Sequence, residues 1–164
     1  MSTSALKVFT GDLFAELAAR AAASPRRRSH SNIHAGPAEL VQRFFVCANR
    51  DSYFRPHRHH ARSEMAVVLR GRFEVLLFDD SGGVIARHAI GQDTTAFAWE
   101  IPCATWHTLL AAADGATFLE VKEGPYDPAT AVEFAPWAPA EGDAAAAAYL
   151  AGLQGASAPG HPGR

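Results

Sequence analysis

Twelve consecutive residues, Tyr53-Phe54-Arg55-Pro56-His57-Arg58-His59-His60-Ala61-Arg62-Ser63-Glu64, bring together three imidazoles, three guanidiniums and a carboxylate. On an extended strand, residues two apart face the same side, so His57 and His59 project together. Glu64, just after a short bend, adds a carboxylate, and His107 offers a fourth donor from a later strand. Neutral imidazole and carboxylate together suit one divalent ion, Fe, Mn, Ni, Co, Cu or Zn, without separating these metals. The same run also suits a solvated, mildly basic loop, and the short motif by itself does not decide between the two readings.

These residues need a scaffold. From Glu39 onward the chain breaks into short runs rich in Val, Ile, Leu and Phe: 40–48, 65–69, 72–78, 84–90, 95–101 and 117–121. Such runs are strand chemistry, and the breaks between them are turn chemistry. Asp79-Asp80-Ser81-Gly82-Gly83 is the clearest hairpin loop. Closely spaced strands without intervening helical patterns predict a mainly β, antiparallel barrel or sandwich. A helix capped by Thr10 or Asp12 precedes them, carries Leu13, Phe14 and Leu17 to one side and stops at Ser24-Pro25. An alanine-rich helix over 143–153, with Asp143 as its cap, follows them. The expected organisation is an N-terminal helix and basic linker (1–37), a barrel (38–128), a C-terminal clasp and helix (129–154) and a disordered tail (155–164).

Composition narrows the function classes. A length of 164 residues suits one domain. A formal charge of -2 argues against an overall electrostatic grip on nucleic acid or an acidic membrane. Two cysteines, Cys47 and Cys103, are too few for a disulfide framework or a four-cysteine zinc site. No apolar stretch approaches the roughly 20 residues a membrane span needs. Gly11, Asp12 and Glu16 interrupt any secretory layout, so the cytoplasm is the expected location.

Other residues carry alternative readings. Glu120 and Lys122 share strand parity, so both can face the interior and serve in proton transfer; as a salt bridge, or on the outer face, they would be structural. Arg55 joins them as a catalytic candidate by its closeness to the histidines. The Arg26-Arg27-Arg28 run suits phosphate, which guanidinium grips through paired hydrogen bonds, and equally a solvated linker or an oligomer contact. Arg26, Arg28, Tyr53 and Trp106 are the substrate-binding candidates, Trp106 as a platform for a sugar ring or else as packing.

Two motifs add a family resemblance. His57-x-His59, four residues, Glu64, six residues, Gly71 is similar to the first motif of the cupin superfamily. Pro102-Cys103-Ala104-Thr105-Trp106-His107 resembles the second. The resemblance implies a cupin (double-stranded β-helix, jelly-roll) barrel with His57, His59, Glu64 and His107 as metal ligands. Three positions depart from the pattern: Asp51 and Ala104 replace glycines, and Ala111 replaces an asparagine. None removes a ligand.

A closer resemblance, from about Phe9 to Leu153, is to the WbuC family. It rests on Ser24-Pro25-Arg26-Arg27-Arg28, Arg55-Pro56-His57-Arg58-His59, Phe78-Asp79-Asp80, Ile101-Pro102, Trp106-His107-Thr108, Glu120-Val121-Lys122-Glu123-Gly124-Pro125-Tyr126-Asp127 and Phe134-Ala135-Pro136-Trp137-Ala138-Pro139. It implies a bacterial metalloprotein of surface-polysaccharide (O-antigen) metabolism that handles a sugar, sugar-phosphate or nucleotide-sugar-like molecule. Isomerase, epimerase and dioxygenase chemistry are all compatible, as are a non-catalytic carbohydrate-binding module and a structural metal. A homodimer is the family-level expectation.

Overall fold

The computed structural model describes residues 6–155. In chain order the elements are α1 (Asp12–Ala23), β1 (Arg28–Asn32), β2 (Val41–Ala48), β3 (His57–Arg58), β4 (Glu64–Arg70), β5 (Arg72–Phe78), β6 (Val84–Gly91), β7 (Ala98–Ile101), β8 (His107–Ala111), β9 (Ala116–Glu123), β10 (Glu133–Phe134) and α2 (Ala146–Gly155). The strands form two five-stranded antiparallel sheets, ordered β1-β2-β9-β4-β7 and β10-β3-β8-β5-β6. The mainly β expectation is borne out.

Alternation along the strands turns one apolar set inward. Phe73, Val75 and Leu109 of one sheet meet Val46, Trp99 and Phe118 of the other. Phe118 lies edge-on to both Phe73 (ring centroids 5.0 Å apart) and Trp99 (5.2 Å), the T-shaped geometry that aromatic quadrupoles favour. The helices cover outer faces. Leu17 and Ala21 of α1 bury against Phe45 and Cys47 of β2. Ala146, Leu150 and Leu153 of α2 bury against Leu76, Phe78 and Leu110.

Local chemistry sets the turns. Asp79 accepts hydrogen bonds from the backbone N–H of Ser81 and of Gly83 (both 2.9 Å), which closes the β5–β6 hairpin. Gly71, the glycine of the first motif, joins β4 to β5 at φ +70, and a Cβ there would sit 3.2 Å from that of Ala116.

Several boundaries differ from the sequence reading. Gly11, not Thr10 or Asp12, occupies the N-cap of α1, without a side-chain cap. Helix α2 begins at Ala146; Asp143 instead caps the turn before it, accepting from the N–H of Ala145 at 2.8 Å. The segment read as a basic linker contains β1, whose sequence Arg-Ser-His-Ser-Asn lacks strand-like residues because it is a half-exposed edge strand. Strands β3 and β10 have two residues each, too few to leave a periodic trace. Of the expected tail, Gly155 closes α2 and 156–164 lie outside the described residues.

Candidate metal centre

Both sheets contribute to one cluster. His57 of β3 and His107 of β8 are register partners, and their ring centroids lie 4.4 Å apart. His59 follows β3, with its ring 5.2 Å from that of His57. Glu64 opens β4 on the opposite sheet. One donor atom from each of the four lies within 4.8 Å of the others. Two ligands bound at about 2.1 Å to one ion lie at most about 4.2 Å apart, so the cage needs only a small contraction.

Hydrogen bonds on the far side of each ring fix its orientation. His57 Nδ1 meets the Arg55 carbonyl (2.9 Å), His59 Nδ1 that of Ala131 (2.6 Å) and His107 Nδ1 that of Thr105 (2.8 Å). A carbonyl only accepts, so each Nδ1 carries the proton and each Nε2 lone pair turns to the cluster. His107 Nε2 is buried without a hydrogen-bond partner. His59 Nε2 lies 3.1 Å from Glu64 Oε2. As a direct hydrogen bond this would require a second proton on His59; as adjacent ligands of an octahedral ion the spacing is natural, since cis ligands at about 2.1 Å stand about 3.0 Å apart. The donor set fits a divalent cation.

The electrostatics keep His57, His107 and Glu64 in their ligating forms. Burial, reinforced by His107, pushes His57 down to about 3, so its ring stays neutral. Burial likewise lowers His107, against the pull of Glu64. Burial alone would raise Glu64; the neighbouring His59 and the Lys122 ammonium outweigh it and hold the carboxyl well below the usual range.

Glu120 and Lys122 face the interior, as their parity requires, and also form an ion pair at 2.5 Å. Lys122 Nζ lies 3.8 Å from Glu64 Oε2 as well. Burial, followed by the Glu64 charge, pushes Glu120 up to about 7. For Lys122, burial is outweighed by the two carboxylates, and its pKa is raised.

A cavity of about 220 Å³ opens beside the cluster, with Arg26, Arg28, Arg55, His57, His59 and Lys122 among its lining residues. Arg55 donates to the Ala135 carbonyl (2.9 Å) and lies over the Phe134 ring. Arg26 and Arg28 converge on Glu141, with Arg26 Nε 2.7 Å from its carboxylate. Two substrate-binding candidates do not reach this cavity. Tyr53 donates its hydroxyl to the Pro139 carbonyl (2.9 Å) and packs edge-on to Tyr149. Trp106 donates to Asp80 (3.1 Å), stacks under Arg58 and packs near Trp137. Both are drawn into the apolar cluster beneath α2.

Glu141 and Ala131 are the residues that sequence reasoning missed. Glu141 is more than a hundred residues from the arginines it joins, so spacing gives no signal. Ala131 acts through its backbone carbonyl, which any residue would supply.

Similar architecture occurs in solved cupin-fold structures. The capsular polysaccharide assembling protein CapF from Staphylococcus aureus matches with a TM-score of 0.57 at 17% identity, over 68% of this chain and 32% of that one. Oxalate decarboxylase from Bacillus subtilis matches with a TM-score of 0.50 at 19% identity, over 65% of this chain and 27% of that one. KdgF from Halomonas sp. matches at 0.49 and 18% identity, over 63% and 84%. This chain therefore spans about a third or less of the first two, and the likeness to those two establishes the cupin fold. No curated protein matches the sequence. A family described as a domain of unknown function (DUF6016) matches residues 9–90, through the helix, the histidine motif and the first hairpin. With half its length matched, this cupin-fold chain belongs to the DUF6016 family.

Proposed function

We propose that this protein is a metal-dependent cupin enzyme of the WbuC type that acts on a small anionic sugar, such as a sugar-phosphate or nucleotide-sugar, in bacterial surface-polysaccharide metabolism. The observation that carries the reading is a cluster of four metal donors whose His57 and His59 border one cavity together with Lys122 of the Glu120–Lys122 pair. Four cations (Arg26, Arg28, Arg55 and Lys122) stand around three carboxylates (Glu64, Glu120 and Glu141) before any metal charge is added, so the site favours an anion.

A divalent ion held by His57, His59, Glu64 and His107 would polarise a carbonyl or hydroxyl oxygen of the ligand. Lys122 lines the cavity and holds a proton at Nζ for a ligand oxygen. Glu120 stands behind it and positions that ammonium. Arg55, beside the histidines, binds the anionic group. A metal that only staples the barrel is the competing reading, favoured by the deep burial of His59, Glu64 and His107. His57 and His59 both border the cavity, which favours an accessible centre.

The test is elemental analysis of tag-free protein purified without oxygen, beside His59→Ala. The expected result is close to one equivalent of metal in the wild type and a sharp loss in the variant. No metal after reconstitution, or full occupancy in His59→Ala, refutes the centre. Turnover is then screened on sugar-phosphates and nucleotide-sugars. Lys122→Met should retain metal and lose turnover; unchanged turnover returns the metal to a structural role.

A further inference from the structure

We infer that the ligand extends beyond the metal cavity into a second, unassigned subsite built by His30, Asn32, His34, Gln42 and Phe44. This inference rests on the proposed reading of the centre and concerns the size and chemistry of what binds there.

The metal cavity is small for its task. Small-molecule sites run to roughly 300–1,000 Å³, and 220 Å³ falls short of that range. A second groove of about 370 Å³ adjoins it and shares two wall residues, Lys122 and Tyr126. Together the two reach the size of a site for a two-ring molecule.

Strand register explains why the groove points away from the centre. Glu64 of β4 pairs with Lys122 of β9, and Lys122 pairs with Gln42 of β2. Beyond β2, Asn32 pairs with Phe44, Ile33 N–H binds the Arg43 carbonyl, and His34 follows β1 with its Nδ1 2.8 Å from that same carbonyl. One polar row thus runs across three paired strand positions, Glu64, Lys122 and Gln42, and His34 lies just past the end of β1. Two inter-strand steps of about 4.8 Å carry it about 10 Å from the metal ligand at Gln42. A monosaccharide cannot span that distance; a molecule with two rings can.

The groove differs in chemistry from the metal cavity. Lys122, at the junction, is the one Lys, Arg, Asp or Glu in its wall, among amides, imidazoles and Phe44. Gln42 spends its amide nitrogen on the Glu39 (2.7 Å) and Pro37 (3.3 Å) carbonyls, which leaves Oε1 as an acceptor. His34 is fixed through Nδ1 by the Arg43 backbone (2.8 Å). The ligand is therefore a phosphorylated molecule whose anionic head sits by the metal ligands and Arg55, with a neutral, hydrogen-bonding second ring in the groove. That ring is either a second sugar or a nucleobase.

Calorimetric titration of zinc-loaded protein distinguishes these. Glucose 1-phosphate serves as the one-ring probe, with maltose 1-phosphate and UDP-glucose as the two-ring probes. At least one two-ring probe should bind tenfold or more tightly than glucose 1-phosphate. Asn32→Trp, at the exposed rim, should abolish that advantage and leave glucose 1-phosphate binding and zinc content unchanged; His30→Ala should reduce it. A gain for maltose 1-phosphate alone assigns a sugar to the groove, and a gain for UDP-glucose alone assigns a base. No gain for either probe, no binding at all, or a gain that survives both variants overturns the subsite. Zinc content, measured on the same samples, reports separately on the metal centre.

Discussion

Replacing His107 by alanine removes the donor whose Nε2 is buried and unpartnered, so the variant isolates what that nitrogen contributes. Metal that binds only the folded state stabilises it by RT ln(1 + [L]/Kd), about 2.7 kcal/mol at a hundredfold excess over Kd. In a domain of this length about 1 kcal/mol moves Tm by about 2–4 °C, so zinc at that excess should raise the wild-type Tm by about 5–11 °C. Residues that merely support a ligand are worth 10–100-fold in affinity, so loss of a ligand itself should cost at least about a hundredfold. At the same zinc concentration the variant then sits near its own Kd, gains about 0.4 kcal/mol and shifts by about 1–2 °C. The assay is scanning calorimetry with and without zinc. Each protein is compared with its own metal-free form, so the packing cost of deleting the ring cancels. A zinc shift in His107→Ala equal to that of the wild type would refute both the ligand assignment and the argument from the orphaned nitrogen.

Three further outcomes follow from the geometry. Ala104 holds φ +61 in the turn before His107, a conformation costing a non-glycine residue about 1–2 kcal/mol; Ala104→Gly should therefore raise stability to urea by up to about 1 kcal/mol after the added unfolded-state entropy, with metal content unchanged. Glu141→Ala strands the Arg28 guanidinium, whose side chain is only 11% exposed, and should cost about 2 kcal/mol in urea unfolding, below the full cost for a buried pair because Glu141 is itself 27% exposed. In metal-free protein, Glu120 titrates at about 7 in place of its ordinary 4.5, so its folded form binds the proton more tightly and its contribution to stability is lost as pH rises across that window. Glu120→Gln should remove that decline relative to wild type in chemical denaturation at pH 5 and pH 7; parallel curves for the two proteins would contradict it.

How much was legible in the sequence depended on how local each signal was. Runs rich in Val, Ile, Leu and Phe and the turn residues between them forecast β2, β4, β5, β6 and β9 with only small boundary shifts, because strand and turn preferences are encoded within a few residues. The histidine spacing likewise placed His57 and His59 on one side of the chain, and the two motifs nominated Glu64 and His107. Strand β1 escaped because an edge strand has no need of apolar residues on both faces.

Tertiary structure alone decided the rest. The meeting of β3, β4 and β8 from opposite sheets set the donor distances, and only folding determined that Arg26 and Arg28 face the histidine cavity while a distant Glu141 pairs with both. It also withdrew Tyr53 and Trp106 into the packing under α2, since a large ring can satisfy either a pocket or a core and the neighbouring helix settles which. Backbone carbonyls such as that of Ala131 orient the histidines without leaving any trace in residue type. Short-range periodicity thus resides in the sequence, whereas convergence of distant groups is a property of sheet register and closure, which no local pattern contains.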